Sequence, residues 1–160
     1  MIVAHIEIGG DFMAAEYTAT NQQTINPGES VIFTESPVPC TRGLVRHRDG
    51  TGNFLLRGVV NGCPCVKSAN YLVDFGADIA IPTGGTVGAI SVAIAIDGST
   101  MPASTMTVTP AGVEEFFNIS KEITAQIWRG CCETVTIRNT SDQPIIMQNA
   151  DVNFDRPDLR

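Results

Sequence analysis

The stretch IAIPTGGTVGAISVAIAI, Ile79 to Ile96, carries no charged residue and is bracketed by Asp78 and Asp97. An uncharged run of this length reaches the threshold for a membrane-spanning helix. Its internal order points elsewhere. Pro82, Gly84, Gly85 and Gly88 crowd the first half, where a helix would lose a backbone hydrogen bond at proline and conformational entropy at each glycine. The second half alternates: Ile90, Val92, Ile94 and Ile96 fall on one face, Ala89, Ser91, Ala93 and Ala95 on the other. Period two is the signature of a strand. In an antiparallel sheet with one wet face the alternate positions are polar, whereas here they are only small. Both faces therefore read as buried, and another copy of the same chain is the economical cover for the second.

The rest of the chain repeats the strand pattern in shorter pieces. Val31 and Phe33 share a face in a candidate strand from Glu29 to Thr34. Leu44 to Arg48 and Asn53 to Gly58 flank Asp49-Gly50, a strong hairpin signal. Tyr71, Val73, Phe75, Ala77, Ile79 and Ile81 line one face of a long strand ending at Pro82. With the run from Ala89 to Ile96, that strand reads as a hairpin closed by the Pro/Gly turn. Met101 to Val108 is expected to pair weakly, and Pro110 to Glu115 is the one place that invites a helical turn. Ile119, then Ile123 to Trp128, Glu133 to Arg138, and Ile145 to Phe154 complete the set. Many short strands with evenly spaced turns predict a β-sandwich or barrel. Residues 1–22 differ in character and read as an N-terminal arm, with Ile2, Ile6, Ile8 and Phe12 as candidate attachment residues; residues 23–160 read as the domain.

At 160 residues the chain is most simply one domain with a substantial core. Lys+Arg 10 against Asp+Glu 17 gives a formal charge of -7, and no basic run is present to bind a phosphate backbone. Neither nucleic acid nor membrane is an expected partner. The N-terminal MIVAHIEIGGDF lacks a positive segment followed by an apolar one, so synthesis in a cytoplasm is expected. Cys40, Cys63, Cys65, Cys131 and Cys132 lack zinc-knuckle spacing. They read as buried thiols. On a strand Cys131 and Cys132 would point to opposite faces, and a disulfide to Cys40, Cys63 or Cys65 remains open. His5 and His47 accompany no nucleophile motif. Nothing places two of Asp97, Glu114, Glu115 and Glu133 across a common bond, as glycoside hydrolysis requires. No catalytic residue, metal ligand or cofactor is expected. Trp128 closes the apolar pattern of Ile123, Ala125 and Ile127 and is expected at a subunit boundary.

In order, NPGESVIF (26–33), RGLVRH (42–47), GTGNFLL (50–56), YLVDF (71–75), AISVAIAIDG (89–98), TVTIRN (134–139) and NADVNF (149–154) resemble the C1q/TNF-like jelly-roll superfamily, especially its bacterial and phage branch, which includes the C-terminal domain of BclA-type exosporium proteins. The wording PTGGTVG (82–88), TPAGVEEFFN (109–118) and RGCC (129–132) is similar to small proteins of Firmicutes and their phages, akin to head-fibre or capsid-decoration components. The resemblance implies an all-β antiparallel jelly-roll sandwich, assembled as a tight homotrimer. The small face of Ala89, Ser91, Ala93 and Ala95 would then let backbones approach closely, while the isoleucine face fills each core; the sequence leaves open which face does which. It further implies a structural virion protein on a capsid surface, with itself and other virion proteins as partners. A receptor- or glycan-binding module at a tail tip, or on a spore or cell surface, is the alternative. No Gly-X-Y stalk is present, which directs attachment to the arm or to the domain itself.

Overall fold

Alternating strands bury one face each, and here they do so as two antiparallel sheets packed against one another. The computed structural model describes residues 14–59 and 65–157. In chain order come β1 (Ala14–Ala19), β2 (Gln23–Ile25), β3 (Glu35–Val38), β4 (Val45–His47), β5 (Phe54–Leu56), β6 (Ser68–Ala80), β7 (Ile90–Ile96) and β8 (Ser99–Thr100). A 3-10 turn (Pro102–Ser104) precedes β9 (Met106–Val108), β10 (Phe117–Trp128), β11 (Glu133–Asn139) and β12 (Ile145–Asp155). The first sheet has the order β10-β6-β12-β1-β3, with β2 on β12. The second runs β4-β5-β11-β7-β8, with β9 on β7.

Inward residues of the two sheets form one core. Phe54 sits at its aromatic centre, with ring centroids 4.9 Å from Phe154, 5.1 Å from Tyr17 and 5.2 Å from Phe33. Such edge and tilted contacts add to the area that the rings bury. Tyr71, also in the core, donates its hydroxyl to the Arg57 carbonyl at 2.6 Å and lies under the Arg156 guanidinium, 4.9 Å from the ring centroid. Its burial raises the phenol above its ordinary range. Asn139 clips three segments together at the end of β11. Its Nδ2 donates to the carbonyls of Ile25 and Gln143, and its Oδ1 accepts from the Ser141 N–H.

Several sequence expectations meet a different geometry. The turn from Pro82 does not close a hairpin: β6 belongs to the first sheet and β7 to the second, so residues 81–89 cross between layers. The local hairpin around β7 follows it instead. Asp97 (φ 50°) and Gly98 (φ 83°) lead into β8, with Ile96 paired to Ser99. Two successive positive φ values are what a tight turn between right-twisted strands requires. From Glu29 to Thr34 the expected alternation is present, with Val31 and Phe33 buried and Ile32 exposed, but only isolated bridges from Ser30 to Arg138 and from Phe33 to Thr51 form there. Residues 110–115 make bends and turns rather than a helix. β1 runs between β12 and β3, so the sandwich takes in residues that the sequence reading gave to the arm. Ile2, His5, Ile6, Ile8 and Phe12 lie outside the described residues.

Candidate functional site

The small face of β7 is covered within a single chain over half its length. Ile90, Val92 and Ile94 pack in the core; on the opposite side Ala93 and Ala95 are both 0% exposed, while Ser91 is half-buried and Ala89 exposed. Ala93 and Ala95 stand opposite Arg138 and Thr136 of β11. The Arg138 Nε donates to the Thr136 Oγ1 at 3.2 Å, which lays the long side chain along this side of the sheet. On the edge of β7 away from β11, between its pairings with β9 and β8, Ser104 is buried and its Oγ accepts from the Ile94 N–H at 2.8 Å. The alanines are small because their own chain passes close, and only Ala89 and Ser91 present surface to a neighbour.

β10 is the accessible counterpart. It pairs with β6 over its whole length, from Phe117 opposite Ile79 to Trp128 opposite Ser68, and with no second strand of its sheet among the described residues. Phe117 and Trp128 stand at its two ends, 41% and 60% exposed. A long edge strand offers unpaired backbone groups to another chain.

The outward face of the first sheet is acidic. In register, Glu16 of β1 stands beside Asn153 of β12, Asn153 beside Asp74 of β6, and Asp74 beside Glu122 of β10. Asp78, Asp151 and Asp155 occupy outward positions around that row, and no lysine or arginine shares these outward strand positions. Like charges directly opposite on a sheet face destabilise it. Asp151 carries the consequence: partial burial, then the hydrogen bond and charge of neighbouring Glu16, push its carboxyl up to about 6.

The remaining candidates have structural roles. His47 turns toward the core, stacked on Phe54 with centroids 4.3 Å apart, its ring nitrogens against the Asn53 and Phe33 carbonyls. Cys131 and Cys132 precede β11 rather than lying on a strand, and they form a disulfide with one another; Cys65 is also disulfide-bonded and Cys40 is a free thiol. The opposite-faces expectation for Cys131 and Cys132 therefore does not apply. Among the described residues no three His, Cys, Asp or Glu side chains gather as a metal site would need, and no helix is long and apolar enough to cross a membrane.

No protein-family model matches the sequence, and no curated protein does. Solved structures do match, through shape. Eiger TNF from S. frugiperda superposes with a TM-score of 0.64 at 10% identity, covering 91% of this chain and 92% of that one. The globular domain of zebrafish complement 1qA gives 0.59 at 10% identity, with 89% and 94% covered. Murine APRIL gives 0.58 at 8% identity, with 91% and 98% covered. The fold is a C1q/TNF-like jelly roll.

Within this jelly roll, two surfaces escaped the sequence reading. Glu16, Asp74 and Asp151 alternate with core residues and Glu122 sits between exposed Lys121 and half-buried Ile123, but their meeting on one face depends on the strand order, which no local pattern carries. The second is a concavity of about 670 Å³ on the other sheet, lined by Arg46, His47, Arg48, Thr51, Asn53, Leu55 and Thr134. Its signal was the RHR triplet at 46–48, legible as a hairpin arm and not as a charged wall.

Proposed function

We propose that this chain is a homotrimeric structural protein of a phage particle, a head-fibre or capsid-decoration component exposed on the virion surface. The observation that carries the trimer is the edge at β10: twelve residues paired on one side only, with Phe117 and Trp128 exposed at its ends, in a C1q/TNF-like jelly roll. A contact across that edge covers the unpaired backbone, with Phe117 and Trp128 at its two ends on opposite faces of the sheet. The similarity of the 82–88, 109–118 and 129–132 segments to phage and prophage proteins supports the virion setting. Partners on this reading are two further copies and a capsid or other virion protein. Three copies of one weak surface, held rigidly, multiply the effective affinity for a symmetric target.

Light scattering on the purified chain is expected to give three times the 17.1 kDa of a single chain; a monomer mass would sink the trimer. Immunogold electron microscopy of lysate from the source organism is expected to label capsids. Label on tail tips would move the role to receptor binding, and label confined to cells or spores would end the virion reading.

A further inference from the structure

The outward strand positions of the two sheets differ in charge. Against the acidic face of the first sheet, the second sheet carries Arg46 on β4, Arg48 just beyond it and Arg57 just beyond β5. Arg46, Leu55 and Thr134 form one row across β4, β5 and β11, floored by leucine and edged by hydroxyl and guanidinium groups. In the concavity of about 670 Å³ over this row no carboxylate is among the lining residues. Neither the Arg46 nor the Arg48 guanidinium is engaged by any group among the described residues. In a molecule of net charge -7, two guanidinium groups share a concavity with no carboxylate among its lining residues; nearby acids are Asp49, next to Arg48 in the chain, and Asp97, which accepts from the Thr134 N–H.

The scaffold beneath them is fixed. Thr51 closes the hairpin tip, its N–H and its hydroxyl both donating to the Arg48 carbonyl at 3.1 and 2.7 Å. The tip is stapled to the neighbouring segment by the Gly50 N–H on the Phe33 carbonyl (2.8 Å) and the Phe33 N–H on the Thr51 carbonyl (3.0 Å). Below, His47 stacks on Phe54 in the core. Arg46 and Arg48 rise from this support two residues apart, about 7 Å at the rise of an extended strand. A guanidinium presents a planar fork that fits phosphate or carboxylate in a bidentate manner. The Thr51, Asn53 and Thr134 side chains beside it suit the hydroxyls of a sugar or polyol.

We propose that this concavity is a binding site for an anionic polyhydroxyl polymer, with Arg46 and Arg48 holding successive phosphate or carboxylate groups along its chain. The site goes beyond the virion role and holds whichever surface displays the protein. The test is binding of the full-length protein to immobilised poly(glycerol phosphate), hyaluronate and neutral dextran at about 0.15 M salt, where weak long-range attraction is screened. Binding is expected to one or both of the anionic polymers and not to dextran; which of the two binds decides between a phosphate and a carboxylate ligand. The double variant Arg46→Gln/Arg48→Gln is expected to weaken that binding about tenfold or more, while Lys67→Gln/Lys121→Gln, with the same loss of charge elsewhere, leaves it within about twofold. Both pairs remove exposed side chains, and an unchanged thermal unfolding midpoint establishes that folding is intact. Binding to neither anionic polymer, equal binding to dextran, or equal loss in the two double variants would overturn the site.

Discussion

Asp151 and Ala93 show at residue scale how burial sets a measurable cost. Asp151 faces outward among Glu16 and Asp74, and its carboxyl is pushed up to about 6 from an ordinary 3.8 by burial first and by Glu16 next. A carboxyl with a raised folded-state pKa binds its proton more tightly in the native state than in the unfolded one. Its stabilising contribution is therefore complete below about pH 4 and is lost as pH rises through about 6. Asp151→Asn is expected to raise stability at pH 7 by about 1 kcal/mol, a figure reduced for partial solvent exposure, and to flatten the dependence between pH 4 and pH 6. Urea titrations of both proteins across that range check it; parallel pH profiles would remove Asp151 as the source. Ala93 presents the opposite case, a position with no room and no water. Ala93→Arg places an unpaired charge in a fully covered site and is expected to cost about 4 kcal/mol or more. The expected outcome is failure to fold, seen as loss of the native circular dichroism signal, rather than a folded monomer.

The strands themselves were legible at element scale, because alternation is a local property and the core simply uses it. β6, β7, β11 and β12 fall where the period-two runs of isoleucine, valine and phenylalanine place them. Pairing was less legible. Pro82 to Gly85 would serve equally as a hairpin turn or as a crossing between layers, since both need the same backbone freedom, and only the partners of β6 and β7 distinguish the two. The small residues of β7 raised the same ambiguity: a close neighbour was implied, and Ala93 and Ala95 are already fully covered within the single chain. β10 is the element on which the proposed trimer would place a neighbour. Trp128→Glu and Phe117→Glu add charge at the two ends of its edge, where both rings are exposed. Each is expected to weaken trimer association about tenfold or more, while the unfolding free energy of the separated chain changes by less than about 0.5 kcal/mol. Sedimentation across a dilution series reads the first quantity and denaturation at low concentration the second. An unaltered trimer in both variants would remove β10 from the interface.

For the whole molecule, folding and the proposed attachment can be tested separately. The described strands of both sheets lie from Ala14 onward: β1 runs between β12 and β3, paired with β12 from Ala14 opposite Asp155 to Ala19 opposite Ala150. Removing residues 1–13 therefore takes away none of the described strand pairings. If attachment resides in that segment, as the apolar Ile2, Ile6, Ile8 and Phe12 suggest, folding and assembly are separable from docking. The truncated chain is expected to keep its unfolding midpoint within about 2 °C, on the scale of a surface change in a domain of this size. It is also expected to keep its trimer mass, yet to disappear from purified particles when supplied in place of the full chain. Calorimetry, light scattering and a blot of purified particles read these three outcomes independently. Full occupancy of the particle by the truncated chain would move attachment onto the domain surface, to the acidic face of the first sheet or to the Arg46–Arg48 concavity of the second. Charge reversal at Asp74 and at Arg46 would then tell those two apart, because each alters one sheet and leaves the other untouched.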